Sequence, residues 1–324
     1  MKLETEEDSD KWLEAAKALA VVSAWSAVGL FERLQGGPVR QVDLPGDPRA
    51  VTTTLPVLLH LGLVTTDGDR IALTSRGARL LAARAMPSDR NLVTLRDLSR
   101  MADVLRAGGP VRDDEGKSKG TRGGTLTTDV AHTERFLDML YRLSDAPARS
   151  TLAWLGAELP AGASVLDLGG GHGRYARAFA DAGHTVTLFD QPMVVDLARK
   201  RHGDALRYIA GDFHEALTFG GPYDLVLLCN IVHGESSAAN ASIVSRATRS
   251  LRAGGRIAIR DMILDDHQQN PASAVFFGLT MLFYTEEGKS PTVSGIQDWY
   301  EKAGLGDFRL ILDDRHQIAV GKKG

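Results

Sequence analysis

Apolar residues recur at helical spacing near the start of the chain. Trp12, Ala15, Leu19, Val22 and Trp25 follow an acidic opening, which predicts an amphipathic helix. A short helix over residues 27–34 ends at Gly36-Gly37, and a third helical stretch covers residues 49–60. Leu63-Val64-Thr65 and Ile71-Ala72-Leu73-Thr74 read as two short strands around an Asp67-Gly68 turn. Helices followed by a small β-wing make a winged-helix pattern. Such modules usually read DNA with a basic helix in the major groove. The equivalent helix here, residues 51–60, holds no Lys or Arg. Its apolar surface suits a packed or dimer interface, and the expectation is no nucleic-acid partner.

From residue 87 to 160 the pattern is helical over 92–107 and 130–143, with Phe136, Met139, Leu140 and Leu143 forming an apolar stripe. Between them, residues 108–124 are rich in Gly and in charges of both signs, and read as a solvated loop rather than a lid. From residue 161 strands alternate with helices. Apolar runs at 164–168, 185–189, 207–210, 225–229 and 256–260 are separated by helical patterns at 172–182, 193–202 and 237–251. That alternation predicts an α/β fold with a parallel sheet covered on both faces, and ligands at the carboxyl ends of its strands. The expected organisation is three regions: 1–86, 87–160 and 161–324.

Composition narrows the function class. The 324 residues are 43% hydrophobic and 24% charged, an ordinary globular balance that excludes a disordered, collagen-like or rod-like chain. A net charge of −3 offers no global positive field for nucleic acid or anionic membrane. Cys229 is the only cysteine, which suits a reducing cytoplasm and rules out an internal disulfide or a Cys-based zinc site; no metal is expected. The apolar stretch 19–31 is shorter than the ~20 residues a membrane helix needs, and its acidic flank is wrong for a secretory leader.

The strand ends carry the candidate chemistry. The first reads Asp167-Leu168-Gly169-Gly170-Gly171-His172-Gly173, and Gly171 to Ala176 satisfies the G-x-G-x-x-A dinucleotide pattern. Taken alone, this does not separate a dinucleotide from another nucleoside cofactor. Three acids decide it. Asp167, just before the glycines, repels a pyrophosphate but suits an ammonium and a sulfonium. Asp190 stands where a ribose-binding acid belongs. Gly211-Asp212-Phe213 at the third strand end offers an acid for the adenine amino group and a ring for its face. With no Lys or Arg within 169–173, the set describes S-adenosylmethionine.

Together with Phe189-Asp190-Gln191-Pro192, Asn230-Ile231-Val232-His233 and Arg252-Ala253-Gly254-Gly255-Arg256, these motifs resemble the class I S-adenosylmethionine-dependent methyltransferases. More narrowly, they resemble the small-molecule O-methyltransferase family of plant phenylpropanoid and bacterial antibiotic pathways. The resemblance covers nearly the whole chain. It implies a Rossmann-like seven-stranded sheet whose last strand is antiparallel, the final hairpin coming from 308–312 and 317–321. It also implies an N-terminal, mainly helical winged-helix domain that forms a homodimer. Cofactor binding would fall to Asp167, Gly169, Gly171, Asp190, Gln191, Gly211, Asp212, Phe213 and Cys229. His233 would remove the proton of a small natural-product hydroxyl, with Asp261 orienting it. Phe136, Met139, Asn230 and Met281 would line the acceptor, Met281 lying on an aromatic helix expected over 270–284. Two departures stand out: His233-Gly234-Glu235 replaces a frequent His-Asp-Trp, and Ser290 follows Gly288-Lys289 where relatives carry a further acid. Other readings are C- or N-methylation on the same fold, including metal-assisted transfer to an α-keto acid, and a ligand-responsive winged-helix regulator.

Overall fold

The computed structural model describes residues 5–83, 85–112, 116, 129–313 and 316–324. Of the loop expected over 108–124, only 108–112 and 116 fall among them; the rest lies outside the described residues. The chain divides near residue 103 into two compact units.

In the first unit, α1 (Glu6–Ala27) starts from a capping box. Thr5 Oγ1 accepts from the Asp8 N–H at 3.2 Å, and the Asp8 carboxylate accepts from the Thr5 N–H at 3.0 Å. The acidic opening is therefore a helix start signal. Gly29, with φ +77°, makes the left-handed turn into α2 (Leu30–Gln35), which begins later than the periodicity suggests. A two-residue strand, β1 (Val39–Arg40), precedes α3 (Pro48–His60), whose first amides are capped by Asp47. Strands β2 (Val64–Asp67) and β3 (Arg70–Leu73) form the expected hairpin, and β1 pairs with β3 as a third strand too short for periodicity to reveal. The pattern also did not reveal α4 (Ser75–Ala82); α5 (Asp89–Leu98) follows.

The core of this unit joins Val22, Trp25, Leu30, Phe31, Leu55, Leu58, Leu63 and Ile71. Most of the apolar residues that suggested a subunit interface are therefore occupied within the unit itself. What stays exposed is the N-terminal half of α1, including Trp12 at 39% and Leu13 at 56%.

The expected helix over 92–107 is broken into α5 and α6 (Met101–Ala107), and the division between the units falls within α6. The second unit then continues through α7 (Val130–Leu143) and α8 (Asp145–Leu155) to β4 (Ser164–Leu168). After it come α9 (Arg174–Asp181), β5 (Thr185–Asp190), α10 (Pro192–His202), β6 (Arg207–Ala210) and β7 (Tyr223–Cys229). The chain ends with α11 (Ser237–Arg249), β8 (Leu251–Asp261), α12 (Ala272–Tyr284), α13 (Val293–Lys302), β9 (Leu305–Asp313) and β10 (His316–Lys323). The sheet has seven strands in the order β6-β5-β4-β7-β8-β10-β9. Strands β6, β5, β4, β7 and β8 pair in parallel, and β10 runs antiparallel to both β8 and β9.

Strand alternation sends Leu166 and Leu168 into a core with residues of α11 and α13, while Val165 joins one with residues of α8, α9 and α10. This is the two-sided cover that the near-continuous apolar strands require. It places the carboxyl ends of β4, β5, β6, β7 and β8 side by side.

Candidate functional site

The turn after β4 needs glycine. Gly169 has φ +71°, and a Cβ there would lie 2.6 Å from Ile231 Cδ1. Across the next strand end, a Cβ on Gly211 would lie 2.8 Å from the Phe189 ring. The backbone thus lies close under Ile231, with Phe213 Cε1 at 3.8 Å from the same Gly169 position. The residues expected to frame an adenine and ribose are half-buried: Gly169, Gly171, Asp190, Gln191, Gly211, Asp212 and Phe213.

The two carboxylates at this end differ. Asp190 Oδ2 accepts from the Gly171 N–H at 2.8 Å and its Oδ1 from the Gln191 N–H at 2.7 Å. A carboxylate has about four lone-pair sites, so roughly two are left for a ligand. Burial pushes the Asp190 carboxyl up to about 6 despite those two bonds. Asp167 is 1% exposed; its Oδ2 accepts from the Ala176 N–H at 3.1 Å in the first turn of α9, but Oδ1 has no partner. Burial, with the charge of Asp190 adding to it, pushes Asp167 up to about 7. An orphaned carboxylate oxygen beside a glycine turn is unfavourable in the bare protein. A cationic group arriving with a ligand relieves it. Vicinal hydroxyls for Asp190 and positive charge for Asp167 describe one kind of ligand, a nucleoside carrying a cation. Asp212 serves its own turn, accepting from the His214 N–H at 2.8 Å. Cys229 is buried, and burial drives its thiol upward, so it is a neutral wall residue.

A second group assembles at the ends of β7 and β8. His233 Nδ1 lies 2.8 Å from Asp261 Oδ1, and its backbone N–H reaches Oδ2 at 3.3 Å. Asp261 is fully buried and also accepts from the Met262 N–H at 2.7 Å. A carboxylate can only accept, so Nδ1 carries a proton, and Nε2 is the nitrogen whose lone pair the neutral ring offers. The Phe277 ring packs edge-on against the imidazole, 4.8 Å between centroids, and fixes its plane. A Cβ on Gly288 would meet the His233 carbonyl oxygen at 2.6 Å, so the late Gly288-Lys289 segment seats directly on this histidine. Ser290 is buried and gives its hydroxyl to the Ala274 carbonyl at 2.7 Å, which is a helix contact. Glu235 faces His214 at 3.4 Å.

The expected acceptor residues are spread wider. Asn230 is half-buried at φ 58°, its amide donating to the Tyr175 hydroxyl at 3.4 Å. Met281, on α12, is only 8% exposed. Phe136 and Met139 are half-buried on α7. Among the described residues, no group of three or more His, Cys, Asp or Glu side chains stands in metal-holding geometry, and no helix is long and apolar enough to cross a membrane.

Sequence reading missed Arg260. It is 2% exposed, pairs with Asp313 at 2.5 Å and leaves Nε without a partner. Its charge acts on Tyr175, whose hydroxyl accepts from the Asn230 amide. The signal was available: a lone arginine closing the apolar run Ile257-Ala258-Ile259.

A family model described as an O-methyltransferase domain matches residues 124–306, more than half of the chain. The tetracenomycin polyketide synthesis 8-O-methyl transferase of Streptomyces glaucescens is 25% identical over 329 residues, covering 94% of this chain and 92% of that protein. Bovine (Bos taurus) acetylserotonin O-methyltransferase is 32% identical over 150 residues, a match that spans 45% of this chain and 43% of the bovine enzyme. The crystal structure of human N-acetylserotonin methyltransferase in complex with S-adenosylmethionine superposes with a TM-score of 0.80 at 20% identity, over 100% of this chain and 99% of that one. With the sheet, the glycine turn and the family match in agreement, the chain belongs to the O-methyltransferase family.

Proposed function

We propose that this O-methyltransferase acts on a hydroxyl of a small secondary metabolite, with S-adenosylmethionine bound over the β4, β5 and β6 ends and His233 as general base. S-adenosylmethionine supplies an electrophilic methyl group on a sulfonium. Asp190 takes the ribose hydroxyls with its remaining lone pairs. Asp167 supplies the negative charge that a cationic donor answers. Asp212 and Phe213 border the adenine, while Gln191, Gly169, Gly171, Gly211 and Cys229 form the walls.

The observation that carries the acid–base part is the 2.8 Å pairing of His233 Nδ1 with fully buried Asp261. A phenolic hydroxyl has a pKa of ~10 and is mostly protonated near neutral pH. His233 Nε2 takes that proton as the oxygen forms its bond to the methyl carbon. With S-adenosylmethionine bound, the methyl would pass to that oxygen while the carbon–sulfur electron pair stayed on sulfur, so the products would be S-adenosylhomocysteine and a methyl ether. Asp261 holds the imidazole in the required tautomer and balances the charge that develops on it. Phe136, Met139, Asn230 and Met281 line the acceptor.

In the same reading, residues 1–86 form a dimerisation module and 87–160 the acceptor-side helices; 161–324 form the donor-binding domain of a cytoplasmic homodimer. Support for the dimer comes from the N-terminal half of α1, which leaves Trp12 and Leu13 uncovered. The test is incubation with methyl-labelled S-adenosylmethionine and a panel of phenolic acceptors. Label recovered in a base-stable ether supports O-transfer. Label recovered only on carbon or nitrogen sinks it.

A further inference from the structure

Around the glycine turn lies a cluster of side chains that the donor and acceptor assignments leave unused. His172 is its centre. The Arg174 backbone N–H lies 3.0 Å from His172 Nδ1, and an amide N–H can only donate, so Nδ1 is the acceptor. The ring proton is then on Nε2, which lies 3.2 Å from Ser144 Oγ. Ser144 sits where α7 gives way to α8. Burial, with Arg201 and His202 nearby, pushes His172 down to about 4, so the ring stays neutral and both bonds persist.

Further contacts tie the same two elements. The Arg174 guanidinium donates to the Tyr141 hydroxyl at 2.7 Å, lies 4.6 Å from the ring centre and pairs with Asp145. Arg201 of α10 lies 4.5 Å from the Tyr141 ring centre. The carbonyl of His172 accepts from His202 Nε2 at 3.0 Å. The backbone at 172–174 is therefore gripped from α7, from the start of α8 and from α10, while the same loop presents the Gly171 N–H to Asp190.

We propose that His172, Ser144 and Tyr141 form a latch by which the α7–α8 junction holds the glycine turn in its donor-binding shape. They are positioning residues: they act through the loop on Asp190 and Gly171. The inference rests on the reading that this loop binds the donor. Residue 172 is well chosen for the task. An asparagine could also cap the Arg174 amide, but only a ring with a second nitrogen reaches Ser144 as well.

The experiment is calorimetric titration of S-adenosylhomocysteine into the full chain, comparing Ser144→Ala, His172→Asn and the double variant. Losing one hydrogen bond that shapes the loop raises the dissociation constant by about fivefold. The double variant is expected to bind no worse than the weaker single one, because both remove one bond. Ser144→Thr, which keeps the hydroxyl, restores wild-type affinity. Tyr141→Phe gives a smaller loss and reads the latch from its helical side if His172→Asn does not fold. Single variants that bind as tightly as wild type, or losses that simply add, overturn the latch. A wild-type chain that takes no S-adenosylhomocysteine overturns the donor reading itself, and the latch with it.

Discussion

The two units bury different kinds of side chain. Among the described residues of the first, the buried polar side chains are Ser23 and Asp97, and the core is aliphatic and aromatic. The second buries Asp167, Asp261, Arg260, His172 and His202 close to its strand ends. Burying a charged or titratable group is unfavourable unless it is fully partnered, yet Asp167 Oδ1 and Arg260 Nε have no partner. A fold selected only for packing would replace them. The contrast separates a unit whose interior is built for packing from a unit that buries charge at its strand ends.

The sharpest way to break that contrast is at the base. We expect His233→Ala to lower turnover by ~10²–10⁴, the usual worth of general-base catalysis, while S-adenosylhomocysteine affinity stays near wild type. Asp261→Asn should cost less, because the amide keeps a contact to Nδ1 but not the charge. Steady-state and single-turnover rates on an identified acceptor check both. Near-normal chemistry in His233→Ala would mean that proximity alone drives transfer.

The next largest effect belongs to the first unit. Trp12→Glu with Leu13→Glu places two charges on the uncovered half of α1. Truncating well-packed apolar interface residues costs ~1–2 kcal/mol each, so the pair should lower dimer affinity by roughly 30–1000-fold. Light scattering at micromolar concentration reads this directly. A wild-type chain that is already monomeric there removes the dimer proposal. Asp190→Ala comes third. Hydrogen bonds to charged groups are worth ~1.5–3 kcal/mol, so S-adenosylhomocysteine should bind about tenfold or more weakly, by calorimetry. Unchanged affinity in a folded variant would take Asp190 out of the site.

How much of this was legible in the chain depends on how local the signal was. Strand–loop junctions are local, so the order of residues alone suffices to put Asp167, Gly169, Asp190 and Gly211 at strand ends. The pairing of His233 with Asp261 came from resemblance, since nothing local in the sequence links positions 28 apart. Tertiary burial was not legible. Val22, Trp25 and Leu55 look the same in sequence whether they face a partner or their own core, and here they face the core. β1 is two residues long and α4 only eight, so periodicity passed over both. His172 reads as the start of a helical pattern, although the helix begins at Arg174, and nothing in sequence links it to Ser144, 28 positions earlier, which lies 3.2 Å from its ring.

The smallest expected effect tests the contrast at its centre. The Asp167 carboxyl is raised to about 7 in the folded chain, against ~3.9 for an unfolded aspartate. The sign follows from linkage. Between those values the folded state holds the proton more tightly than the unfolded state, so this group's contribution is fully present below about 4 and is lost as pH rises through 7. Several other carboxylates, Glu158 and Asp313 among them, are lowered and favour the opposite trend. A bare pH–stability curve therefore mixes the two, and the difference between variant and wild type is the quantity to measure. Asp167→Asn removes the buried charge while keeping an oxygen for the Ala176 amide. At pH 8, without ligand, we expect its unfolding midpoint to lie roughly 3–6 °C above wild type, with the gap narrowing at pH 5 and closing only near pH 4. S-adenosylhomocysteine should stabilise wild type more than it stabilises the variant. A midpoint at pH 8 equal to or below wild type would mean that Asp167 is satisfied in the folded chain, and that the second unit carries no charge held in reserve for its donor.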